Sequence, residues 1–154
     1  MAVALNSTAS EKFLLDSGEH ADVRDFGGST PLHTAAAAND GAMVELLLSH
    51  HASINAKNLY GRTPLHYVAR HCTPAALEIL LERKAGVNAG DMDGETALHN
   101  AARWDSTAAV NLLVVYGADM SICNRWGRAA CEEVNHSETR DVFALWENAL
   151  AHTK

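Results

Sequence analysis

Short apolar blocks with helical spacing recur along the chain, separated by polar loops that contain glycine. The block at residues 44–48 (VELLL) and the block at residues 110–114 (VNLLV) both place apolar side chains three and four positions apart. This spacing puts the apolar side chains on one face of a helix, so each block predicts a helix that buries one side.

The polar loops between these blocks follow one fixed interval. Residues 61–66 read GRTPLH, residues 28–33 read GSTPLH and residues 94–99 read GETALH, so the glycines are 33 residues apart. A fourth and weaker copy, GRAACE, begins a further 33 residues on, at Gly127. A constant period of this size predicts a stack of similar units, because no single unit can bury its apolar face alone.

Each period predicts a pair of short helices. In the first two periods a threonine precedes proline 31 or 64, at the first helical position, where the missing amide hydrogen costs nothing. Thr73-Pro74 has the same form and is predicted to open the second helix of the second period. Other second helices are expected at about 42–49 and about 138–150. A helix from near Ser10 to Gly18 is expected before the first full period.

These elements predict a single domain over residues 1–154, built from consecutive units. A capping half-repeat at residues 10–24 is followed by repeats at 25–57, 58–90 and 91–123, and by a divergent C-terminal capping repeat at 124–151. The last unit is expected to differ because one of its faces has no neighbour.

Two helix ends carry an unusual residue. Gly18 and Gly117 stand where a left-handed backbone conformation is expected, but His51 and Lys84 occupy the same position in the intervening units. A residue with a side chain pays about 1 kcal/mol for that conformation. Replacing either residue by glycine is therefore predicted to raise the melting temperature.

Composition narrows the class of protein. The net charge is −7, no run of 18 apolar residues occurs, and the N-terminus lacks the pattern of a signal peptide. The three cysteines lie at unrelated positions of the period and form no C-x-x-C pair, which indicates a reducing compartment. The cytoplasm is therefore expected, with the nucleus as the alternative.

The nine histidines do not predict a metal site. His33, His66 and His99 hold the same position in three stacked units, so they should lie roughly 10 Å apart, too far to share one zinc ion. We expect them to form hydrogen bonds to the backbone where loop and helix meet. Ser29, His33 and Asp25 form no catalytic set, since no nucleophile-elbow motif accompanies them. No metal, cofactor or catalytic residue is expected.

The repeated motifs resemble those of ankyrin-repeat proteins. The family motif T-P-L-H-x-A matches residues 30–35, TPLHTA, and residues 63–68, TPLHYV, with one departure at Val68. A later motif, G-A-D-V-N, is similar to residues 117–121, GADMS. The resemblance implies an all-α ankyrin-repeat solenoid of helix–turn–helix pairs with projecting β-hairpin-like loops. It also implies a non-catalytic protein–protein interaction module.

The candidate binding residues are positions that vary between the repeats. The resemblance implies that these positions line the loop tips and the concave groove of the first helices. The candidates are Leu59, Tyr60, Arg62, Tyr67, Arg70, His71, Met92, Arg103, Trp104, Arg125, Trp126 and Arg128.

Their composition suggests an interface, because tyrosine, tryptophan and arginine dominate binding energies. Tyr60, Arg70, Trp104 and Trp126 are the predicted anchors, and the other arginines are expected to steer a partner with an acidic surface or peptide. In the alternative interpretation the tryptophans cover the helix layer and the arginines pair with Asp93, Glu95 and Glu133.

The sequence is compatible with three functions. An adaptor that binds a protein partner as a monomer is favoured. An inhibitor or regulatory subunit of an enzyme, similar to the short ankyrin-type inhibitors of cyclin-dependent kinases, is the alternative. Single-stranded nucleic acid is a weaker candidate, because the chain is acidic and the face has almost no lysine.

Overall fold

A computed structural model describes residues 21–71 and 74–152 of the chain. Within these ranges there are seven α-helices and one 3-10 helix. They are α1 (Pro31–Ala37), α2 (Gly41–Ser49), α3 (Pro64–Val68), α4 (Ala75–Glu82), α5 (Ala97–Arg103), α6 (Thr107–Val115), the 3-10 helix Ala130–Glu133, and α7 (Ser137–Ala151). The helix expected from Ser10 to Gly18 and the residue Thr73 lie outside the described residues.

The helices form two layers. α1, α3, α5 and the 3-10 helix pack side by side in the first layer, and α2, α4, α6 and α7 pack in the second. The described part of the chain contains no strand, although Cys123 and Ala129 form an isolated antiparallel bridge. The predicted all-α solenoid is confirmed.

The core follows the 33-residue period. Leu32, Leu65 and Leu98 are at most 1% exposed, and each comes from the first turn of a first-layer helix. Alanines at the far ends of the same helices are fully buried, and their small side chains let neighbouring helices approach closely. Phe143 on α7 is buried to 1% exposure and fills the last interface of the stack.

The three period-related histidines connect successive units. In α3 the backbone N–H of Thr63 donates to Nδ1 of His66 at 3.0 Å, and Nε2–H of His66 donates to the carbonyl of Glu95 at 2.9 Å. His33 and His99 make the corresponding bonds one period before and one period after. The predicted backbone role of these histidines is confirmed. The pattern also gives the two ring nitrogens different roles, because Nδ1 must accept and Nε2 must donate.

The fourth unit departs from this pattern. Glu132 stands where the other units have histidine, and its Oε2 accepts from the backbone N–H of Ala129 at 2.8 Å. The carboxylate thus replaces the acceptor half of the histidine, but it has no proton with which to donate to another loop. The helix at this point is a four-residue 3-10 helix rather than an α-helix.

The helix ends predicted at His51, Lys84 and Gly117 are confirmed, and the helix start predicted at Pro74 is shifted. His51 and Lys84 both have φ of 64°, in the left-handed region, and Gly117 at the equivalent position has φ of 89°. Pro74 was expected at the first position of its helix, but α4 begins at Ala75. The carbonyl of Pro74 accepts the first helical bond, from the backbone N–H of Glu78 at 2.8 Å, so Pro74 is the N-cap.

Candidate functional site

Four turn loops precede the first-layer helices, and we call them L1 (residues 25–29), L2 (58–62), L3 (91–95) and L4 (124–128). Each begins with Asp or Asn, whose side-chain oxygen accepts from two backbone N–H groups of its own loop. In L2, Oδ1 of Asn58 accepts from Tyr60 at 3.0 Å and from Arg62 at 3.1 Å. Asp25, Asp91 and Asn124 do the same in the other loops. In L2 and L4 this first residue is buried, and the next two residues form an exposed tip.

Neighbouring loops are also joined to one another. The backbone N–H of Met92 in L3 donates to the carbonyl of Tyr60 in L2 at 3.0 Å, and the L1–L2 and L3–L4 pairs make the same bond. Gly61 has φ of 72°, and a Cβ there would lie 2.9 Å from the backbone nitrogen of Met92. Glycine is thus required in L2 both by its conformation and by the close approach of the next loop.

Large apolar side chains are exposed on the tips and on the C-terminal end of α5. Tyr60 is 62% exposed and Trp126 is 55% exposed, both at the second tip position of their loops. Leu59 and Met92, at the first tip position, are 67% and 74% exposed. Trp104, the C-cap of α5, is 62% exposed. Trp104 and Trp126 therefore do not cover the helix layer. The alternative interpretation of the sequence, in which they do, is wrong on this point.

Four of the five candidate arginines form ion pairs within the chain. Arg62 pairs with Asp91 at 3.1 Å, Arg125 with Asp93 at 2.7 Å, and Arg128 with Glu133 at 2.9 Å, while Arg103 pairs with both Glu95 and Glu133. This is the pairing that the alternative interpretation anticipated, with Asp91 in addition. Arg70 forms no ion pair with any carboxylate in the described ranges, and its only hydrogen bond there is a 3.4 Å contact with the Ala37 carbonyl.

Arg103 lies at the centre of a partly buried charge network between L3, α5 and the 3-10 helix. Its guanidinium makes two bonds to the carboxylate of Glu95, one of them 2.8 Å from Nη1 to Oε2, and its Nη2 lies 3.2 Å from Oε2 of Glu133. The side chains of Glu95 and Glu133 are only 4% and 7% exposed. Such a two-sided contact holds the guanidinium in one orientation.

The Arg103 network and the ion pair between Arg62 and Asp91 shift the pKa values of their members. The hydrogen bond from Arg103 lowers the pKa of Glu95 and, in return, the bond to Glu95 raises the pKa of Arg103. Burial would raise the pKa of Asp91, but the backbone amides of Glu95 and Asp93 and the guanidinium of Arg62 together hold it below its ordinary value. These carboxylates are ionised at neutral pH and neutralise the arginines beside them.

The remaining candidates contact neighbouring units. The Tyr67 hydroxyl accepts from Nδ2 of Asn58 at 2.9 Å, and its ring meets His33 edge-on at 5.8 Å between centroids. Nε2 of His71 donates to the Ala37 carbonyl at 2.8 Å. Both side chains are half-buried, so part of each is committed to the stack.

Two arginines lie near the ring of Trp126. The guanidinium carbon of Arg125 is 5.3 Å from the centroid of the ring, and that of Arg128 is 5.9 Å away. Both contacts are within cation–π range.

One exposed loop-tip residue lies outside the twelve candidates. Phe26, at the first tip position of L1, is 106% exposed, more than any other large apolar residue of the described ranges. It precedes Leu59 by one period and Met92 by two, so the repeat itself indicates its place. The twelve candidates predicted from the sequence all come from the second to fourth units, so Phe26 in the first unit is not among them.

Stacked helix pairs that present an exposed row of loop tips define a helical-repeat scaffold. A family model described as "Ankyrin repeats (3 copies)" matches residues 1–58 and 37–124, which is more than half of the chain. The chain therefore belongs to the ankyrin-repeat family, whose members are generally protein–protein interaction modules and are typically not enzymes. The search of curated proteins returned no match.

Two further observations concern the described ranges. No three His, Cys, Asp or Glu side chains in residues 21–71 and 74–152 are grouped so that they could hold a metal ion. None of the helices in the same ranges combines the length and the apolar character needed to cross a membrane.

Proposed function

We propose that the protein binds another protein, without catalysing a reaction, through a surface formed by the tips of L2 to L4 and the C-terminal ends of α3 and α5. We call this surface the binding face. The observation that carries the proposal is the exposure of Tyr60, Trp104 and Trp126 to between 55% and 62%. Exposed aromatic side chains are costly in water and are typical anchors of an interface.

The ion pairs restrict the kinds of partner surface that the binding face can attract. A partner rich in carboxylates was expected, because five arginines occupy the face. Since four of them are already neutralised by Asp91, Asp93, Glu95 and Glu133, they attract an acidic surface only weakly. Of these five arginines, Arg70 is the one without a carboxylate partner among the described residues. We therefore infer a partner that presents apolar groups to the aromatic side chains and a carboxylate to Arg70.

Capture from the native cell extract tests this function when wild-type protein is compared with matched variants. Trp104→Ala and Arg70→Ala should each remove the captured partner, while circular dichroism shows unchanged helix content, because both side chains are exposed and neither lies in the core. Tyr116→Ala is the control, since Tyr116 is 39% exposed at the end of α6, in the other helix layer. Tyr116→Ala should capture the partner as the wild type does.

Two results would contradict the proposal. Equal capture by the wild type and by both face variants would show that the binding face is not used. Capture that disappears with nuclease treatment and weakens steeply with salt would instead identify a nucleic-acid ligand. If the captured protein is an enzyme, its rate with and without the bound chain distinguishes an inhibitor from an adaptor.

A further inference from the structure

The turn that ends α5 and carries Trp104 adopts an unusual backbone conformation. Trp104 is the C-cap of α5, and the next residue, Asp105, has φ of 51°, in the left-handed region. A residue with a side chain is strained in that region and keeps the conformation only where its surroundings hold it. The contacts around Asp105 therefore help to set the position of Trp104, whose side chain is 62% exposed.

Two hydrogen bonds from the fourth unit hold the residues on either side of Trp104. Nδ2 of Asn135 donates to the carbonyl of Arg103, the residue before Trp104, at 3.1 Å. The backbone N–H of His136 donates to Oδ1 of Asp105, the residue after Trp104, also at 3.1 Å. We call these two contacts the cross-unit bonds. Both come from the short segment between the 3-10 helix and α7.

The cross-unit bonds complement the hydrogen bonds inside α5. The N–H of Trp104 donates to the Asn100 carbonyl at 3.1 Å, and the N–H of Asp105 donates to the Ala102 carbonyl at 3.0 Å. These bonds use the donors of the turn, whereas the cross-unit bonds use the Arg103 carbonyl and the Asp105 carboxylate as acceptors. The last carbonyls of a helix have no partner within the helix, so the fourth unit supplies a contact that α5 cannot make alone.

The first unit has a similar turn without a large side chain on it. Ala38 is the C-cap of α1, and Asn39 after it has φ of 53°. The carbonyl of Ala37, before the C-cap, accepts from Nε2 of His71 in the next unit at 2.8 Å. Support of this turn by the following unit is therefore shared by both places, but in the third unit the supported residue is a tryptophan.

The side chain of Asn135 acts in this contact as a hydrogen-bond donor. Asn135 is exposed and lies outside the apolar core, so a change there affects the turn more directly than it affects packing. An aspartate in its place would have no proton to donate and would bring a carboxylate to the Arg103 carbonyl oxygen. His136, by contrast, binds Asp105 through its backbone N–H, which every residue except proline retains.

We propose that Asn135 is a positioning residue for the binding face, which holds the end of α5 so that Trp104 is presented to a partner in one place. The fourth unit then contributes to recognition as well as closing the stack. The proposal rests on the proposed function for the role of Trp104 as an anchor. The order of the turn can be measured without any partner, so the two can be tested separately.

The test is hydrogen exchange of the full chain at neutral pH, followed residue by residue with NMR. The bonded amides of Trp104 and Asp105 exchange when the turn opens. Asn135→Ala should speed their exchange about fivefold, the factor that corresponds to the loss of one ordinary hydrogen bond, and Asn135→Asp should speed it further. The amides of Ala38 and Asn39 in the similar turn of α1 should exchange as in the wild type, whereas a general loss of stability would speed them too.

Two control variants leave the cross-unit bonds in place. His136→Ala keeps the backbone N–H that binds Asp105, and Asn148→Asp adds the same charge as Asn135→Asp at an exposed position of α7. Both controls should leave the exchange of the Trp104 amide unchanged. Unchanged exchange at Trp104 in both Asn135 variants, or equal acceleration at Ala38, would overturn the proposal.

Partner capture from the native cell extract then separates this proposal from the proposed function. Asn135→Asp should capture less of the partner than Asn148→Asp does, because ordering a loosened turn costs entropy when Trp104 is bound. Capture that is lost in Trp104→Ala but kept in Asn135→Asp would overturn the positioning role alone. Capture that is kept in both would contradict the proposed function, and the exchange rates would still decide whether Asn135 holds the turn.

Discussion

Removal of the His66 side chain should separate the second and third units of the stack. In His66→Ala, the backbone N–H of Thr63 and the carbonyl of Glu95 both lose their partner, in a region where Thr63 is 2% and Glu95 3% exposed. Each buried group left unsatisfied costs about 1–3 kcal/mol, so the free energy of unfolding should fall by about 2–6 kcal/mol. That is a large part of the 5–15 kcal/mol, roughly, that stabilises a typical domain.

The assay is urea unfolding followed by circular dichroism at about pH 7.5. His136→Ala is the control, because the His136 side chain is 77% exposed and its pair with Asp105 is 3.6 Å long. That variant should change the stability by less than about 0.5 kcal/mol. A loss below about 1 kcal/mol in His66→Ala would refute the role of the histidine as a connection between units.

The same bonds predict a dependence on pH. Burial lowers the pKa of His66 below its ordinary value of 6.5, and burial likewise lowers the pKa of His33. In the unfolded chain these histidines take up protons near pH 6.5, whereas the folded chain resists protonation. Stability should therefore be highest above about pH 6.5 and should fall as the pH drops below it. The decline should be shallower in His66→Ala, and parallel pH profiles would contradict this assignment.

Three further predictions concern stability. Lys84→Gly and His51→Gly should each raise the free energy of unfolding by about 0.5–1 kcal/mol. Glycine removes the left-handed strain at φ of 64°, and the greater entropy of glycine in the unfolded chain offsets part of this gain. Unchanged or lower urea midpoints in both variants would contradict this. Gly61→Ala should lower the free energy of unfolding more than Gly127→Ala does. The two glycines have similar φ, but of the two only Gly61 is closely approached by the next loop. Equal losses in urea unfolding would show that this loop contact adds nothing. Arg103→Ala should lower the free energy of unfolding by about 3–5 kcal/mol, because it leaves the buried carboxylate of Glu95 without its cation and leaves Glu133 with Arg128 alone; a loss within about 0.5 kcal/mol would show that the network is dispensable.

The Arg103 prediction has a practical consequence for mapping the binding face. Loss of binding in Arg103→Ala would not distinguish a missing contact from a loosened L3. Arg70→Ala avoids this ambiguity, because Arg70 is exposed and holds no carboxylate of the described residues.

The 33-residue period was sufficient to predict the fold. It gives Leu32, Leu65 and Leu98 equivalent positions, all of which are buried, and it predicted that the histidines after them bind backbone. Such predictions succeed because a repeat imposes one geometry on every copy, so each unit checks the others. The start of α4 was misplaced by one residue because proline is tolerated both at and just before the first helical position.

The sequence does not determine which arginines of the binding face pair with carboxylates of the same chain. Arg62 and Asp91 are 29 residues apart, and their pairing depends on how far L3 approaches L2. Both interpretations of the arginines were therefore compatible with the sequence. The structure combines them, since the arginines pair within the chain while Trp104 and Trp126 are exposed.

Hydroxyl-radical footprinting of the chain, alone and with its captured partner, tests the binding face most directly. Oxidation of Tyr60, Trp104 and Trp126 should fall several-fold in the complex, because these exposed rings become covered. Tyr116, exposed in the other helix layer, should be oxidised equally in both samples. Protection of Tyr116 with unchanged oxidation of the other three rings would place the partner elsewhere and contradict the proposed function.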